Sequence, residues 1–187
     1  MITTNRLIKA LLSLIGFCSY NAFSQDDFVQ INYIHSFDNL TSNDNNFDSF
    51  SGVEVSYSYP FLDDFFVKAD AAIMFYNEGR YFNSTFIKES FTPYTFNANV
   101  NYMVGSPFYK FDPLFFAGFG YLHYKPNFGG VTFNYGAGGQ YWFEDKRKSN
   151  IFDQIGINSR IESRSFFRNS DRGNYVIASI GVSFLLY

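Results

Sequence analysis

The chain has 187 residues, with 14 Lys and Arg against 17 Asp and Glu and a formal net charge of −3 at pH 7. This acidic balance, together with the absence of a long basic run, argues against nucleic acid as a partner. Cys18 is the only cysteine, so no disulfide can form within the chain. Aromatic residues make up 22% of the sequence, yet no segment after residue 24 approaches 18 consecutive apolar residues. A membrane-embedded form would therefore cross with strands rather than helices.

The first 24 residues have the pattern of a signal peptide. Arg6 and Lys9 supply positive charge beside the apolar run Ala10–Cys18, which is well short of the roughly 20 residues that span a bilayer. Small residues at Ala22 and Ser24 predict cleavage before Gln25. We therefore expect a signal peptide over residues 1–24 and a mature β-barrel over residues 25–187, without any cysteine. The alternative is an N-terminal membrane anchor.

Apolar and polar residues alternate with period two in eight segments, each long enough to cross a bilayer as a tilted strand of about 9–11 residues. In the second segment, for example, Val53, Val55 and Tyr57 alternate with Glu54 and Ser56. The seventh has the weakest alternation, because serines dilute its apolar face. The eight segments are Phe28–Ser36, Gly52–Tyr59, Phe65–Phe75, Thr92–Met103, Leu114–Tyr124, Val131–Phe143, Ile151–Arg164 and Tyr175–Tyr187.

The connections between these segments alternate between tight turns and longer polar loops. The turns are predicted at Pro60–Asp64, Gly105–Lys110 and Glu144–Asn150, and the loops at Asp38–Ser51, Asn77–Ser90, Lys125–Gly130 and Ser165–Asn174. An even number of strands places both termini on one side. We therefore expect periplasmic turns and extracellular loops.

Three features favour a membrane barrel over a soluble sheet protein, which would also alternate. They are the signal peptide, the aromatic C-terminal residue and the aromatic residues near strand ends, which suit membrane-interface girdles. A sheet in hydrocarbon must close to leave no unpaired edge. The expected fold is thus all-β, an eight-stranded antiparallel transmembrane up-and-down β-barrel with a narrow polar interior. The expected girdle residues are Tyr57, Tyr59, Tyr94, Tyr121, Tyr141 and Phe143.

Six charged residues fall on the predicted interior rows, three acids and three bases. Enclosed charges are costly unless paired, so we expect an ion-pair network that links the second, third and seventh strands. Two interpretations stay open: a structural plug, or a gate whose pairs exchange to pass small solutes. The six residues are Glu54, Lys68, Asp70, Arg160, Glu162 and Arg164.

Small and aromatic residues alternate in the runs Gly118–Tyr121, Phe133–Phe143 and Ser179–Phe184. In these runs the chain resembles the OmpA-like, or porin-family, outer-membrane β-barrel domains. The resemblance covers essentially all of Asp26–Tyr187 and is clearest in the second half. It implies insertion by the outer-membrane assembly machinery, with Phe184 and Tyr187 in the terminal signal. It also implies outer-membrane lipids, including lipopolysaccharide, as partners of a monomeric chain. We expect no peptidoglycan-binding domain after the barrel, so the resemblance does not imply cell-wall tethering.

The sequence gives little support for a catalytic site or a metal site. His35 and His123 fall on predicted lipid-facing rows without a serine partner, so we expect no enzyme activity. Asp38, Asp44 and Asp48 lack the spacing of a calcium loop, and we expect no cofactor. The leading function is a structural or weakly permeable barrel. A loop-based binding or adhesion module is the alternative, and a lipid A-modifying enzyme comes last.

Overall fold

The computed structural model describes residues 27–37, 49–62, 64–79, 81–82, 85–86, 88–104, 110–123, 129–143, 155–167 and 175–186. The predicted signal peptide, the turn Glu144–Asn150 and Tyr187 lie outside these residues. The strands are β1 (Asp27–Phe37), β2 (Ser51–Leu62), β3 (Phe65–Phe75), β4 (Tyr81–Phe82), β5 (Thr85–Phe86), β6 (Tyr94–Met103), β7 (Phe111–His123), β8 (Gly129–Trp142), β9 (Ile155–Phe166) and β10 (Tyr175–Leu186).

Eight of these strands form a closed barrel in the order β1-β10-β9-β8-β7-β6-β3-β2, and every neighbouring pair is antiparallel. Closure pairs β1 with β10, so that Asp27 lies opposite Leu186. Within the described residues there is no helix long and apolar enough to cross a membrane. The predicted eight-stranded antiparallel barrel is confirmed.

The barrel has two distinguishable ends. We call the end that holds Asp27 and Leu186 the base, and the opposite end the top. The connections at the base are β2–β3, β6–β7 and β8–β9. We expected tight turns at one end of the barrel and longer loops at the other, and the lengths of the connections agree only in part. The segment from Trp142 to Ile155 at the base is longer than the segment from His123 to Gly129 at the top. The side of the membrane that each end faces stays a prediction.

Side chains alternate between the interior and the exterior along every barrel strand, as the period-two pattern predicts. In β3 each even-numbered residue from Phe66 to Met74 is buried and each odd-numbered residue from Phe65 to Phe75 is exposed. Strand boundaries match the prediction fully only here. The other barrel strands differ at one or both ends.

Two prolines lie inside strands rather than in turns. Pro60 was expected to begin a turn, but it belongs to β2, where the pairing with β3 shifts between Pro60 and Leu62. Proline has no amide hydrogen to donate to a ladder, and an irregularity near a strand end accommodates it. Pro113 similarly lies within β7, which begins at Phe111 rather than at Leu114.

The predicted top loop Asn77–Ser90 has structure of its own. Strands β4 and β5 form a two-stranded sheet in which Tyr81 pairs with Phe86. Nearer the barrel, an isolated bridge joins Tyr76 to Phe91. This hairpin is outside the barrel sheet.

Candidate functional site

Five charged side chains form an alternating chain across the barrel interior. Lys68 Nζ lies 3.4 Å from Glu54 Oε1, and the other carboxylate oxygen of Glu54 pairs with Arg160. Arg160 also lies 3.5 Å from Glu162 Oε2, and Arg164 Nε lies 2.5 Å from Glu162 Oε1. All five are at most 6% exposed. The order Lys68, Glu54, Arg160, Glu162, Arg164 therefore contains three cations and two anions.

Asp70, the sixth predicted member, is held by amides instead. Its carboxylate accepts hydrogen bonds from Asn97 and, at 3.4 Å, from Asn99. Within the described part of the chain, no cationic nitrogen lies within 4.0 Å of it. The register explains this arrangement, since Asp70 lies directly opposite Asn97 on β6. The structure therefore brings five of the six predicted residues together in ion pairs and leaves Asp70 beside them.

Uncharged polar side chains fill the space around the charges. Asn134 Nδ2 donates to Asn97 Oδ1 at 3.1 Å, and Thr132 donates to Asn134 Oδ1 at 2.8 Å. Nearer the base, Gln30 Nε2 donates to Ser183 Oγ at 3.1 Å. Buried polar groups need hydrogen-bond partners, and these side-chain bonds supply them inside the barrel.

Apolar layers close the polar layer at both ends. The base cluster contains Phe28, Phe66, Trp142 and Leu185, with Met103 packed against them. The indole of Trp142 donates a hydrogen bond of 3.0 Å to Asp112 Oδ2. The top cluster consists of Ile34, Phe50, Ala72, Met74, Tyr76, Leu122, Tyr175 and Ile177, with Phe91 and Phe166 at its margin.

These two clusters are the main interior feature that the sequence analysis missed. A signal was available at Phe65-Phe66, where the alternation fails near a strand end because both faces are apolar. Phe66 is buried inside the barrel as part of the base cluster, and Phe65 is exposed outside. In the described residues, the polar interior side chains are at most 7% exposed, so the polar layer is a packed core.

The outer surface is a continuous apolar belt. Large apolar side chains on the outward rows are exposed, with Phe119 at 55% and Ile161 at 62%. In water-soluble proteins, Phe and Ile are among the residues most often buried. The six predicted girdle residues all lie on the outward rows. Tyr57, Tyr59, Tyr141 and Phe143 lie toward the base, and Tyr94 and Tyr121 lie toward the top.

Both histidines lie on outward rows near the top, as expected. The ring of His123 stacks on Tyr94 with centroids 4.7 Å apart. For His35, the expectation that no serine lies nearby is wrong, because the cross-strand register places Ser51 opposite it. His35 Nδ1 lies 3.1 Å from Ser51 Oγ, which also accepts a 2.7 Å hydrogen bond from Tyr33. No carboxylate among the described residues orients this pair.

The remaining predicted site residues fall partly outside the described chain. Phe184 lies on the outward face at 37% exposure, while Tyr187 and the loop acids Asp38, Asp44 and Asp48 lie outside the described residues. In the described ranges, no three His, Cys, Asp or Glu side chains are grouped so that they could hold a metal ion.

No family model matches this sequence, and a search of curated proteins finds no match. Comparison with solved structures does find matches. The N-terminal β-barrel domain of Pseudomonas aeruginosa OprF aligns with a TM-score of 0.51 and 16% identity, covering 85% of this chain and 97% of that one. Ail of Yersinia pestis aligns at 0.53 and 14%, covering 87% and 100%. Neisserial surface protein A aligns at 0.58 and 13%, covering 86% and 97%.

This chain has the fold of the eight-stranded, OmpA-like outer-membrane barrels. The alignment spans most of this chain and nearly all of each compared chain, so the likeness extends to the complete barrel. At such low sequence identity it concerns the fold alone. The OmpA-like resemblance in the sequence is thereby confirmed as a resemblance of architecture.

Proposed function

We propose that this chain is an integral barrel of the bacterial outer membrane with a closed lumen and a structural role. The observation that carries the proposal is the distribution of polarity: charged and amide side chains are buried inside, and large apolar side chains are exposed outside. A soluble barrel would have the reverse arrangement. Exposed apolar surface of this extent marks contact with lipid.

The closed interior supports a structural role over free permeation. The base and top clusters lie on either side of the ion-pair chain, and the polar residues between them are at most 7% exposed. An eight-stranded barrel is only just wide enough to be filled by side chains. In this proposal the charged residues form a plug that stabilises the closed barrel.

The outer membrane is proposed as the location because the sequence begins with a signal-peptide pattern and the fold is that of outer-membrane barrels. Insertion would then use the assembly machinery, with Phe184 and Tyr187 in the terminal signal. The partners would be outer-membrane lipids, including lipopolysaccharide, around a monomeric chain.

The test is to refold the mature chain, from Gln25 onward, into phospholipid vesicles and to compare its gel migration with and without boiling. The proposal predicts a compact, protease-resistant species before boiling that shifts on heating. Cell fractionation of the full-length chain should find the same species in the outer membrane. A monomer that folds in buffer without detergent would overturn the proposal.

A second candidate is surface binding through the top loops, and one observation favours it. The β4–β5 hairpin gives the connection between β3 and β6 a structure of its own beyond the barrel. Replacing residues 77–90 with a short glycine-serine linker should then abolish adhesion while leaving heat-modifiable migration intact. Unchanged adhesion in this variant would remove the candidate.

A further inference from the structure

Polar groups lie at two levels on the outward row of β1. At the base, Tyr57 on the neighbouring strand β2 donates a hydrogen bond to the carboxylate of Asp27. Toward the top, Ser51 lies opposite His35 and accepts a hydrogen bond from Tyr33. The outward surface of β1 is therefore polar at both ends and apolar between them.

The two tyrosines reach toward opposite ends of the barrel. Tyr57 is paired with Val29, yet its hydroxyl reaches Asp27, which lies nearer the base. Tyr33 reaches in the other direction, to Ser51. At a membrane surface, tyrosine keeps its ring on the apolar side and its hydroxyl on the polar side. The two hydrogen-bonded groups therefore set the two ends of the lipid contact on β1.

The outward row of β7 is longer. Strand β7 lies directly across the closed barrel from β1, four strands away in either direction. Its outward row is apolar from Phe111 to Phe119, and Tyr121 and His123 complete it toward the top. Lys110, an exposed cation, directly precedes Phe111 at the base. The polar groups that limit this row are therefore Lys110 and His123.

These rows give the two sides of the barrel different apolar heights. Asp27 and His35 are eight residues apart, whereas Phe111 and His123 are twelve residues apart. At about 3.4 Å per residue and a strand tilt of about 40°, the heights are roughly 20 Å on β1 and roughly 30 Å on β7. Tilting the whole barrel would move both ends of one row together, so tilt cannot remove the difference.

We propose that the barrel contacts a thinner layer of hydrocarbon at β1 than at β7, so that the lipid headgroups of the two leaflets come closer together beside β1. A bilayer adapts to a short apolar surface by thinning locally, whereas a carboxylate such as that of Asp27 is costly among acyl chains. The partner of this surface is thus a locally thinned bilayer. The inference rests on the proposed membrane location and concerns the shape of the lipid contact.

Cysteine scanning tests the two heights directly. From residue 25 onward the chain has no cysteine, so single cysteines can be placed on either outward row. A charged thiol reagent, present on both sides of phospholipid vesicles, labels a cysteine in water but not one among acyl chains. Heat-modifiable migration shows that each variant is folded, and labelling after unfolding gives its full signal. The substitutions are Val29→Cys, Ile31→Cys, Tyr33→Cys and Phe37→Cys on β1, and Pro113→Cys, Phe115→Cys, Ala117→Cys, Phe119→Cys and Tyr121→Cys on β7.

The proposal predicts loss of labelling over a short run on β1, confined to positions 29–33, and over a longer run on β7 that includes positions 113–121. Phe37→Cys, which lies beyond His35, should be labelled. Protection of position 37, or protected runs of equal length on the two strands, would overturn the proposal and leave the membrane location intact. Labelling at every outward position would contradict the membrane location and the proposal with it.

Replacing Asp27 gives an independent test through stability. Asp27→Leu extends the apolar row toward the base. Between dilauroyl and dioleoyl phosphatidylcholine vesicles, its midpoint of urea unfolding should therefore fall less than that of the unmodified chain. The matched control is Asp64→Leu, which removes an exposed acid in the β2–β3 connection at the same end of the barrel. It should retain the dependence of the unmodified chain. Equal dependence on bilayer thickness in all three chains would contradict the proposal.

Discussion

Glu54 on β2 and Arg160 on β9 form an ion pair across the barrel although 106 residues separate them in sequence. The two strands are not neighbours, because β1 and β10 lie between them in the sheet. Their contact therefore crosses the barrel interior and does not run between two paired strands. It connects two parts of the barrel wall that share no backbone hydrogen bonds.

Replacing Glu54 with Gln should strongly destabilise the barrel. Lys68 and Arg160 would both lose their shared carboxylate, and breaking a buried pair costs about 3–5 kcal/mol. Urea unfolding in vesicles measures the change in the free energy of unfolding. The double variant Glu54→Gln with Arg160→Met should cost less than the sum of its two singles. Strict additivity would show that the two residues do not interact.

Gly136→Ala should also destabilise the barrel, because the backbone leaves no space at this interior position. An added Cβ would clash with the backbone carbonyl oxygen of Ile161 and would lie 2.6 Å from Phe116 Cζ. Overpacking of this kind costs about 1–3 kcal/mol, measured by the same unfolding assay. Ala137→Leu, at the next residue but facing outward, is the control and should change stability by less than about 0.5 kcal/mol. Equal effects would argue against the assigned faces.

Phe119→Arg tests whether the outward row contacts hydrocarbon. A charged side chain near the middle of a barrel's lipid face costs about 2–4 kcal/mol, so refolding into vesicles should be impaired. Phe119→Leu keeps the apolar contact and should refold normally. If the arginine variant inserts with unchanged stability, the belt is not in contact with lipid acyl chains.

Trp142→Phe tests the base cluster while preserving its aromatic packing. The change removes the indole hydrogen bond to Asp112 Oδ2, and a hydrogen bond to a charged group contributes about 1.5–3 kcal/mol. The midpoint of urea unfolding should fall accordingly. Tyr141→Phe loses a hydroxyl on the outward side of the same strand end and serves as the comparison. A similar loss in both variants would show that the buried hydrogen bond contributes little.

The alternation of residues predicts the barrel well because it depends only on local sequence. Phe65–Phe75 has an unbroken pattern, and its predicted limits match β3. The pattern is less informative at Pro60 and Pro113, where proline suggests a break but the neighbouring strand tolerates the missing amide donor. Two-residue strands such as β4 are too short to show any period.

Interior contacts depend on register, which alternation does not contain. The pattern places Asp70 among the interior charges, yet only the pairing of β3 with β6 shows that it lies opposite Asn97. Likewise, the Ser51 partner of His35 follows from the β1–β2 register across a connection that ends at Phe50. Long-range contacts of this kind can be identified only when the pairing of strands in the closed barrel is known.

The central claim, a barrel closed at both ends by apolar clusters, is tested most directly by ion conductance. The purified mature chain should be incorporated into planar bilayers after heat-modifiable migration has shown that it is folded. The closed lumen predicts no conductance steps above those of the bare bilayer. Reproducible open-channel steps from the unmodified, folded chain would contradict it.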